Sequence, residues 1–582
     1  MKRIIIAFFF YLLILSAKAG QKPNVIIILS DDQGYGDFSC HGNPVLQTPA
    51  LDRLYNQSIR LDNFHVAPLS TPTRGQLMTG LDAMHNKAST VLSGCCMMRR
   101  DIVTMPEVFA RNGYKTGIFG KWHLGDTYPD RPMDRGFQKC VWFKGWGLLS
   151  EAEFDNDYYR TRYLDSLVTR QSEKYCTDLW FEKAMDWMDS MSGKGQPFFT
   201  YISLNAAHAP CYALKEDFLT YNGKVDEKTA SFFGMIRGID RNVDRLDKWL
   251  EEKGLKENTV VVFMNDNGGT GGIQVYNADM RGEKGSVYDG GHRAACFIRW
   301  PKGGLGIPRT VHNASEIQDL LPTFMDMFHF RRTSADQFDG VSLMPAILSP
   351  EKKAKERLFV VQQDIHFNPV KYNSCVVFDS WRLVGKEELY DLSKDPGQKN
   401  NVAGQYPEIL HKMSAFYENW WVGVYKGKGQ YMPIVVGSDK ENPVILTSAD
   451  WIEAGPNTQW KVAMAKDSIQ GHWIIDVKTG GKYRVELSRW PFHLNRALTN
   501  AGPLVAVGGT SLAKGRMLAV SSGCVTLNDQ APVEIQSTAN ATKISTEMNL
   551  PEGRGTLNAI FKDKQGKFLC GAYYVRLERI SK

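Results

Sequence analysis

Short apolar runs punctuate the first half of the chain at Val25–Leu29, Thr116–Phe119, Phe198–Leu204 and Thr259–Met264. Val25–Leu29 and Thr259–Met264 carry no polar position inside the run, which predicts strands covered on both faces. Between the runs the apolar period lengthens. Leu179, Trp180, Ala184, Trp187, Met188 and Met191 share one face of a predicted helix over Cys176–Met191. Phe233, Ile236, Ile239, Val243, Leu246 and Leu250 do the same over Phe232–Leu250, and Gly254 is placed to cap that helix. Ile317–Phe328 reads as a closing helix. Alternating helices and apolar strands predict an α/β fold, a large mixed, mostly parallel sheet sandwiched by helices. Sites in such sheets form beyond the carboxyl ends of the strands. Asp31, Asp32, Lys121, His123, His208, Asp266 and Asn267 all lie just past predicted strands. Adjacent acids in a loop are most often solvated surface; the recurrence of polar strand ends is what argues for a site.

From Leu358 the pattern changes to short strands and turns: Phe359–Val361, Ser374–Phe378, Trp381–Val384 and Leu389–Leu392. Asp395-Pro396-Gly397 breaks the chain before a helix from about Pro407 to Trp420, so this part reads as a small antiparallel sheet with one helix. Beyond Pro433 strict alternation takes over, as in Tyr483, Val485 and Leu487 after a Gly480-Gly481 turn, and again in Tyr573, Val575 and Leu577. The expected units are 20–350 (α/β), 351–432 (antiparallel sheet plus helix) and 433–582 (all β), with a boundary where polarity rises near Ser349–Lys353. The tryptophans at 451, 460, 473 and 490 suit sugar stacking but are read first as core.

Residues 1–19 stand apart. Lys2 and Arg3, the apolar Ile4–Leu15 and Ala17-Lys18-Ala19 form a signal peptide pattern, so export to the periplasm or beyond is expected, with cleavage after Ala19. The apolar stretch falls short of the roughly 20 residues that cross a bilayer, so no membrane association is expected after cleavage. Removing Lys2, Arg3 and Lys18 takes the formal charge from +7 to +4, so attraction for an anion must come from local clustering. No basic run points to nucleic acid. The ten cysteines are scattered without Cys-x-x-Cys spacing, which argues against a zinc site and for mainly buried thiols, with room for a disulfide or two in an exported protein.

Pro68 to Gly80 first reads as a helix start, with Ser70 or Thr71 as N-cap, Pro72 in the first turn and Arg74 one turn after Ser70. The same stretch resembles the signature of the formylglycine-dependent type I sulfatases, the arylsulfatase family of the alkaline phosphatase superfamily. That signature is Cys/Ser-x-Pro-x-Arg followed by two apolar residues, Thr and Gly, and every constrained position is present here. The resemblance extends from Pro23 to about Trp421, through Asp31-Asp32, Gly120-Lys121-Trp122-His123, Asn205–Pro210, Asp266-Asn267-Gly268, Lys284-Gly285-Ser286 and Leu389–Leu392 with Asp395-Pro396 and Asn401. Gly397-Gln398 stands where many relatives carry an acid, a departure not expected to touch catalysis.

The resemblance implies an alkaline-phosphatase-like fold and oxidation of Ser70 to formylglycine (3-oxoalanine) by an oxygen-independent radical maturase, a partner protein. It implies one divalent ion bound by Asp31, Asp32, Asp266, Asn267 and an oxygen of modified Ser70. Three carboxylates and an amide carbonyl are hard oxygen donors that suit calcium and, less well, magnesium. A hydroxyl of the hydrated aldehyde attacks sulfur with help from Asp266, and His208 protonates the departing alcohol. His123 then takes the proton that lets the aldehyde reform and sulfate leave. Lys121 and Lys284 hold the sulfate oxygens, Lys284 from a glycine-rich lid over Met280–Arg293, while Arg74 orients modified Ser70.

The implied activity is sulfate monoester hydrolysis on a sulfated carbohydrate such as a glycosaminoglycan, a mucin O-glycan or an algal polysaccharide. A phosphodiesterase or phosphonate hydrolase of the same superfamily is the nearest rival, and a catalytically dead glycan-binding paralogue is the rival from another class. Substrate choice has no readable code; Gly94–Arg100, Trp142–Tyr163, His366–Tyr372 and part of the β-rich tail are the candidate loops.

Overall fold

The computed structural model describes residues 22–581 apart from 92–93, 149, 151, 153–156, 350–355, 365–367, 428–430, 453, 455–458, 466–469, 503–505, 508–509 and 512–514. The expected signal peptide lies outside the described residues, as does most of the expected boundary near Ser349–Lys353.

The uninterrupted apolar runs become the middle of a ten-stranded sheet. Thr259–Asn265, Asn24–Ser30, Phe198–Ser203, Lys115–Lys121 and Lys139–Phe143 lie side by side, all parallel. Antiparallel pairings flank them, through Cys296–Arg299 and Ile59–Leu61 on one side and Thr161–Asp165 and Val168–Ser172 on the other. Pleating sends Val25, Ile27 and Leu29 into one core and Ile26 and Ile28 into another, which is why the run tolerates no polar residue. The first core also takes Leu77 and Met78 from the helix Ser70–Thr79 and Phe324 from Leu320–Met327. The second takes Leu179 and Trp180 from Cys176–Ser192 and Ile236, Ile239 and Val243 from Glu227–Glu252. Truncating any of these buried aliphatics to alanine removes contacts on a dry face and costs ~2–5 kcal/mol.

Register decides where the strands stop. Ser30 sits opposite Asn265, Leu29 opposite Ser203, and Ser203 opposite Gly120. The residues that follow therefore leave the sheet at one level along one edge.

Leu358–Gln362, Ser374–Phe378, Trp381–Val384 and Glu388–Asp391 form an antiparallel sheet against the helix Pro407–Val424. Val360, Val376 and Leu383 face that helix at Met413, Tyr417 and Trp421, whereas Phe359, Val361 and Val377 pack on Val287 and Tyr288 of the larger unit. The β-rich remainder is two main sheets around one core, with a two-stranded pairing of Ala506–Val507 and Thr510–Ser511 beside them. Trp473–Val477 joins the sheet with Ile434–Val436, Gly553–Lys562 and Ser522–Leu527, while the next strand, Gly481–Ser488, joins Val444–Thr447, Tyr574–Ser581 and Ile544–Leu550. The Gly480-Gly481 turn thus carries the chain between sheets. Trp451, Trp473 and Trp490 are core, and Trp460 is the exposed exception.

Two local expectations change. Ser70 is the first helical residue rather than the cap, because Leu69 holds the extended N-cap conformation. Ile317–Phe328 divides into a 3₁₀ turn at Ile317–Asp319 and the helix Leu320–Met327, since Asp319 accepts from the Glu316 backbone in a capping box. All ten cysteines are free, eight of them buried.

Candidate active site

The aligned strand ends deliver Asp31 and Asp32 from one strand, Asp266 and Asn267 from its neighbour and Lys121 from a third. The Asp32 backbone N–H donates to Asp266 Oδ1 at 3.2 Å, tying the two acidic ends together. Ser70 enters from the buried helix Ser70–Thr79, at the end where the backbone dipole is positive. Its hydroxyl lies 3.1 Å from Asp31 Oδ1 and 3.3 Å from Asn267 Oδ1, with Lys121 Nζ at 3.5 Å. Two oxygen acceptors and one ammonium thus converge on a single side-chain oxygen.

The rest of the centre is arranged in opposite charges. Lys121 Nζ is 2.5 Å from Asp31 Oδ2, and Lys284 pairs with Asp32 Oδ1, which also accepts from Asn267 Nδ2 at 3.0 Å. Arg74 donates to Asp266 Oδ2 at 2.9 Å, lies 3.6 Å from Asp31 Oδ2, and is itself held by the Tyr201 and Ser203 hydroxyls. It therefore reaches the Ser70 neighbourhood through Asp31 and Asp266. Burial works to raise the Asp31 pKa, but Lys121, His208, Arg74 and Lys284 together hold it far below the usual carboxylate range. Asp266 goes the other way: burial and the nearby Asp31 charge push it up to about 6. The repulsion between the Asp266 and Asp31 carboxylates is what a bound cation would relieve. Hard oxygen donors from Asp31, Asp32, Asp266 and Asn267, set beside Ser70, fit a divalent ion of the calcium or magnesium kind.

His123 and His208 flank this centre. His123 is buried with its ring 3.1 and 3.2 Å from the Thr71 hydroxyl, and burial, Lys121 and Arg74 push its pKa well down. Both Asp32 (φ 59°) and His123 (φ 57°) adopt the left-handed backbone that non-glycine residues avoid, a strain that surrounding structure must hold. His208 Nδ1 donates to the Ala209 carbonyl at 2.6 Å, which turns Nε2 toward Asp32 Oδ2, 3.9 Å away. Its loop is fixed by the Tyr158 hydroxyl, which donates to the carbonyls of Asn205 and His208 at 2.9 Å each.

The glycine-rich stretch is anchored rather than free. Lys284 N–H donates to the Gly269 carbonyl at 3.1 Å and Gly285 N–H to that of Pro68 at 2.9 Å, so it is bonded to both the Asp266 loop and the approach to Ser70. Gly268 lies so close that an added Cβ would sit 2.1 Å from the Gly290 carbonyl oxygen. Sequence reasoning missed Tyr201, Ser203, Thr71 and Tyr158, none of which stands in a polar loop pattern. Only the strand-end place of Ser203 was a signal.

A second buried cluster lies elsewhere. His65 and His292 face each other through their Nδ1 atoms at 2.9 Å, with Asp289 close by. Asp289 accepts from Arg382 Nε at 2.7 Å and from Arg293 at 3.2 Å, while Gln398 Oε1 accepts from the Asp289 backbone N–H at 2.8 Å. Gln398, where many relatives were expected to carry an acid, is thus a buried strut of this second cluster.

A family model described as Sulfatase matches residues 23–330. N-acetylgalactosamine-6-sulfatase of Rattus norvegicus is 28% identical over 366 residues, which cover 58% of this chain and 67% of the relative. Arylsulfatase A of Homo sapiens is 28% identical over 466 residues, 69% of this chain and 89% of its own. The solved structure of Ps i-CgsB in complex with k-i-k-neocarrahexaose superposes with a TM-score of 0.62 at 26% identity, over 69% of this chain and 93% of that one. The sheet with its helical layers is the alkaline-phosphatase-like sulfatase fold. The family match takes in more than half of the chain and every residue of the acidic centre from Asp31 to Lys284, and the chain belongs to the sulfatase family.

Proposed function

We propose that this sulfatase removes sulfate from a carbohydrate, using a nucleophile made from Ser70. The observation that carries the reading is the convergence of Asp31 Oδ1, Asn267 Oδ1 and Lys121 Nζ on Ser70 Oγ at 3.1, 3.3 and 3.5 Å. A serine hydroxyl so placed stands in for an oxygen of hydrated formylglycine. Asp31, Asp32, Asp266 and Asn267 would hold a divalent cation, calcium by the hardness of their oxygen donors, which would supply positive charge beside that oxygen and the sulfate.

The chain's own groups do the rest. Lys121 and Lys284 exchange part of their pairing with Asp31 and Asp32 for the nonbridging sulfate oxygens, in a pocket where fixed charges outweigh water. Arg74 acts on the modified residue through the carboxylates it fixes, Asp266 at 2.9 Å and Asp31 at 3.6 Å. Asp266 is suited to accept a proton from the attacking hydroxyl. The ester's negative charge raises the proton affinity of His208, which then donates through Nε2 to the departing alkoxide. His123, neutral through burial beside Lys121, accepts a proton as sulfate leaves.

The names of the relatives and the oligosaccharide bound to Ps i-CgsB support a glycan substrate. The proposal includes export under the 1–19 signal, division into units near 350 and 432, and maturation of Ser70 by a radical enzyme. Among the described residues no helix is long and apolar enough to cross a membrane. Peptide mass spectrometry of active protein should show residue 70 lighter than serine by two hydrogens. Full activity with unmodified Ser70 sinks the nucleophile. Faster turnover of nitrophenyl phosphate than of nitrophenyl sulfate sinks the ester class.

A further inference from the structure

The segment that carries His123 is held from both ends. The strand Lys115–Lys121 fixes its approach, but the His123 backbone is left-handed, so the residues after it must be held as well. Trp122 Nε1 donates to the Asp130 carbonyl at 2.9 Å, and an added Cβ on Gly125 would lie 2.5 Å from Asp130 Cβ and 3.1 Å from Met97 Cγ. Residues 122–130 thus close into one tight loop. What grips that loop reaches into the β-rich unit. Cys96 and Met97 are buried in the core of that unit, in company with Trp451 and Trp473. Arg100 spans the junction: its Nη2 donates to Asp130 Oδ2 at 2.7 Å and to the Pro433 carbonyl at 2.6 Å, and its Nε donates to Asp130 Oδ1 at 3.2 Å. Glu441, between the strands Ile434–Val436 and Val444–Thr447, accepts from the Tyr128 backbone N–H at 2.6 Å. Arg100, Asp130 and Glu441 are mostly shielded from water, where charge-assisted hydrogen bonds hold best.

We propose that Arg100 and Glu441 are positioning residues for His123, and that through them the β-rich unit sets how fast sulfate leaves. The inference rests on the sulfatase reading above, in which His123 accepts a proton as sulfate departs. In that step the proton of the hydroxyl left on residue 70 goes to a His123 ring nitrogen. The freed electron pair forms the aldehyde C=O, and the C–O bond to sulfate breaks with its electrons on sulfate. The transfer needs the ring within hydrogen-bond reach of that hydroxyl, and a shift of about 1 Å costs up to ~10²-fold. The His123 ring nitrogens lie 3.1 and 3.2 Å from the hydroxyl of Thr71, the residue next to Ser70, so a small movement of the loop takes the ring out of place. Lys121 is set by its strand and by Asp31, and His208 by the Tyr158 hydroxyl, and neither is part of the clamp. Loosening the clamp therefore slows the departure of sulfate and not that of the alcohol.

The test uses full-length matured protein with calcium and 4-nitrophenyl sulfate. Glu441→Leu and Arg100→Leu each break the clamp, whereas Glu441→Gln keeps an acceptor for the Tyr128 N–H. The two clamp-breaking variants should lose about 10-fold or more in kcat with a matching fall in KM, leaving kcat/KM within about 2-fold, because only a step after the phenolate has left is slowed. A burst of nitrophenolate equal to the enzyme present should precede the slower turnover, and Glu441→Gln should behave as the wild type. Amide hydrogen exchange without substrate, read by mass spectrometry, should quicken over 122–130 in both clamp-breaking variants and stay unchanged over 24–32 and 259–267. Thermal unfolding confirms that each variant is folded, and Arg100→Leu carries the test if Glu441→Leu is not. A merely structural role would lower kcat at unchanged KM and without a burst. That result, unchanged kcat in both folded variants, or unchanged exchange over 122–130 overturns the inference. His123→Ala is the reference: if it lacks the paired fall in kcat and KM, or if wild-type protein releases no sulfate, the sulfatase reading of the site is overturned instead, and the exchange result still decides whether the clamp holds the loop.

Discussion

Asp31, Asp32 and His208 bring ligand-type atoms together as closely as His65, Asp289 and His292 do, and all but His208 are buried. Their charges differ. Around the first cluster Asp31, Asp32 and Asp266 are matched by Arg74, Lys121 and Lys284, so an incoming divalent cation and an anionic ester offset one another. Around the second, Asp289 alone faces Arg382 and Arg293, and both of its oxygens are taken. A cation there would add to an existing excess of positive charge in a dry place, where such repulsion is hardly screened. Ligand geometry nominates a metal site; the surrounding charge decides it.

The comparison breaks first, and most visibly, on metal content. Asp266→Ala or exhaustive chelation should abolish turnover and remove the bound ion, read by elemental analysis and by loss of calcium-dependent thermal stabilisation. Asp289→Asn should keep the ion, and loss of calcium from that variant would overturn the contrast. Next is the standing of His208 within the first cluster. As a proton donor rather than a ligand, its replacement by alanine should leave metal content intact yet slow sugar sulfates by ~10²–10⁴-fold. Nitrophenyl sulfate, whose phenolate leaves unaided, should slow far less, while Lys284→Ala should slow both alike. Equal losses on the two substrates for His208→Ala would move it from the leaving group to sulfate binding.

A smaller effect tests the second cluster as structure. Arg382→Met leaves one Asp289 oxygen buried without its partner, Arg293 still holding the other, and should cost ~3 kcal/mol in chemical denaturation without altering calcium content. Smallest is a pH effect. Burial holds His292 down to about 4, below its ordinary 6.5, so the unfolded chain binds a proton there that the folded chain refuses. Stability from this group is fully present above pH 6.5 and declines as pH falls toward 4, and His292→Gln should flatten that part of the urea-denaturation profile. An unchanged slope would show that the ring does not titrate as its burial implies.

Much of the first cluster was legible because polar loops after unbroken apolar runs report strand ends, and parallel strands in register report a shared edge. Asp31, Asp32, Asp266, Asn267 and Lys121 were all placed that way. Ser70 was legible as a helix start, though not as its first helical residue, because the difference lies in the Leu69 backbone. What escaped depends on contacts between distant units. Nothing in Cys95-Cys96-Met97-Met98 announces that two of these side chains complete another unit's core. The separate sheets of Trp473–Val477 and Gly481–Ser488 were hidden for a similar reason, since a Gly-Gly turn suits a hairpin and a change of sheet alike.

The burial of Cys96 and Met97 among Trp451, Tyr574 and Leu577 also has a meaning in time. On a ribosome adding ~5–20 residues per second, those partners emerge roughly 20 to 100 seconds after the loop that needs them. Until then these two apolar side chains have no cover. The last strands of the polypeptide therefore act as a clasp on its first hundred residues, and a protein truncated before Tyr574 would reveal its immaturity as sticky surface rather than as a missing appendage.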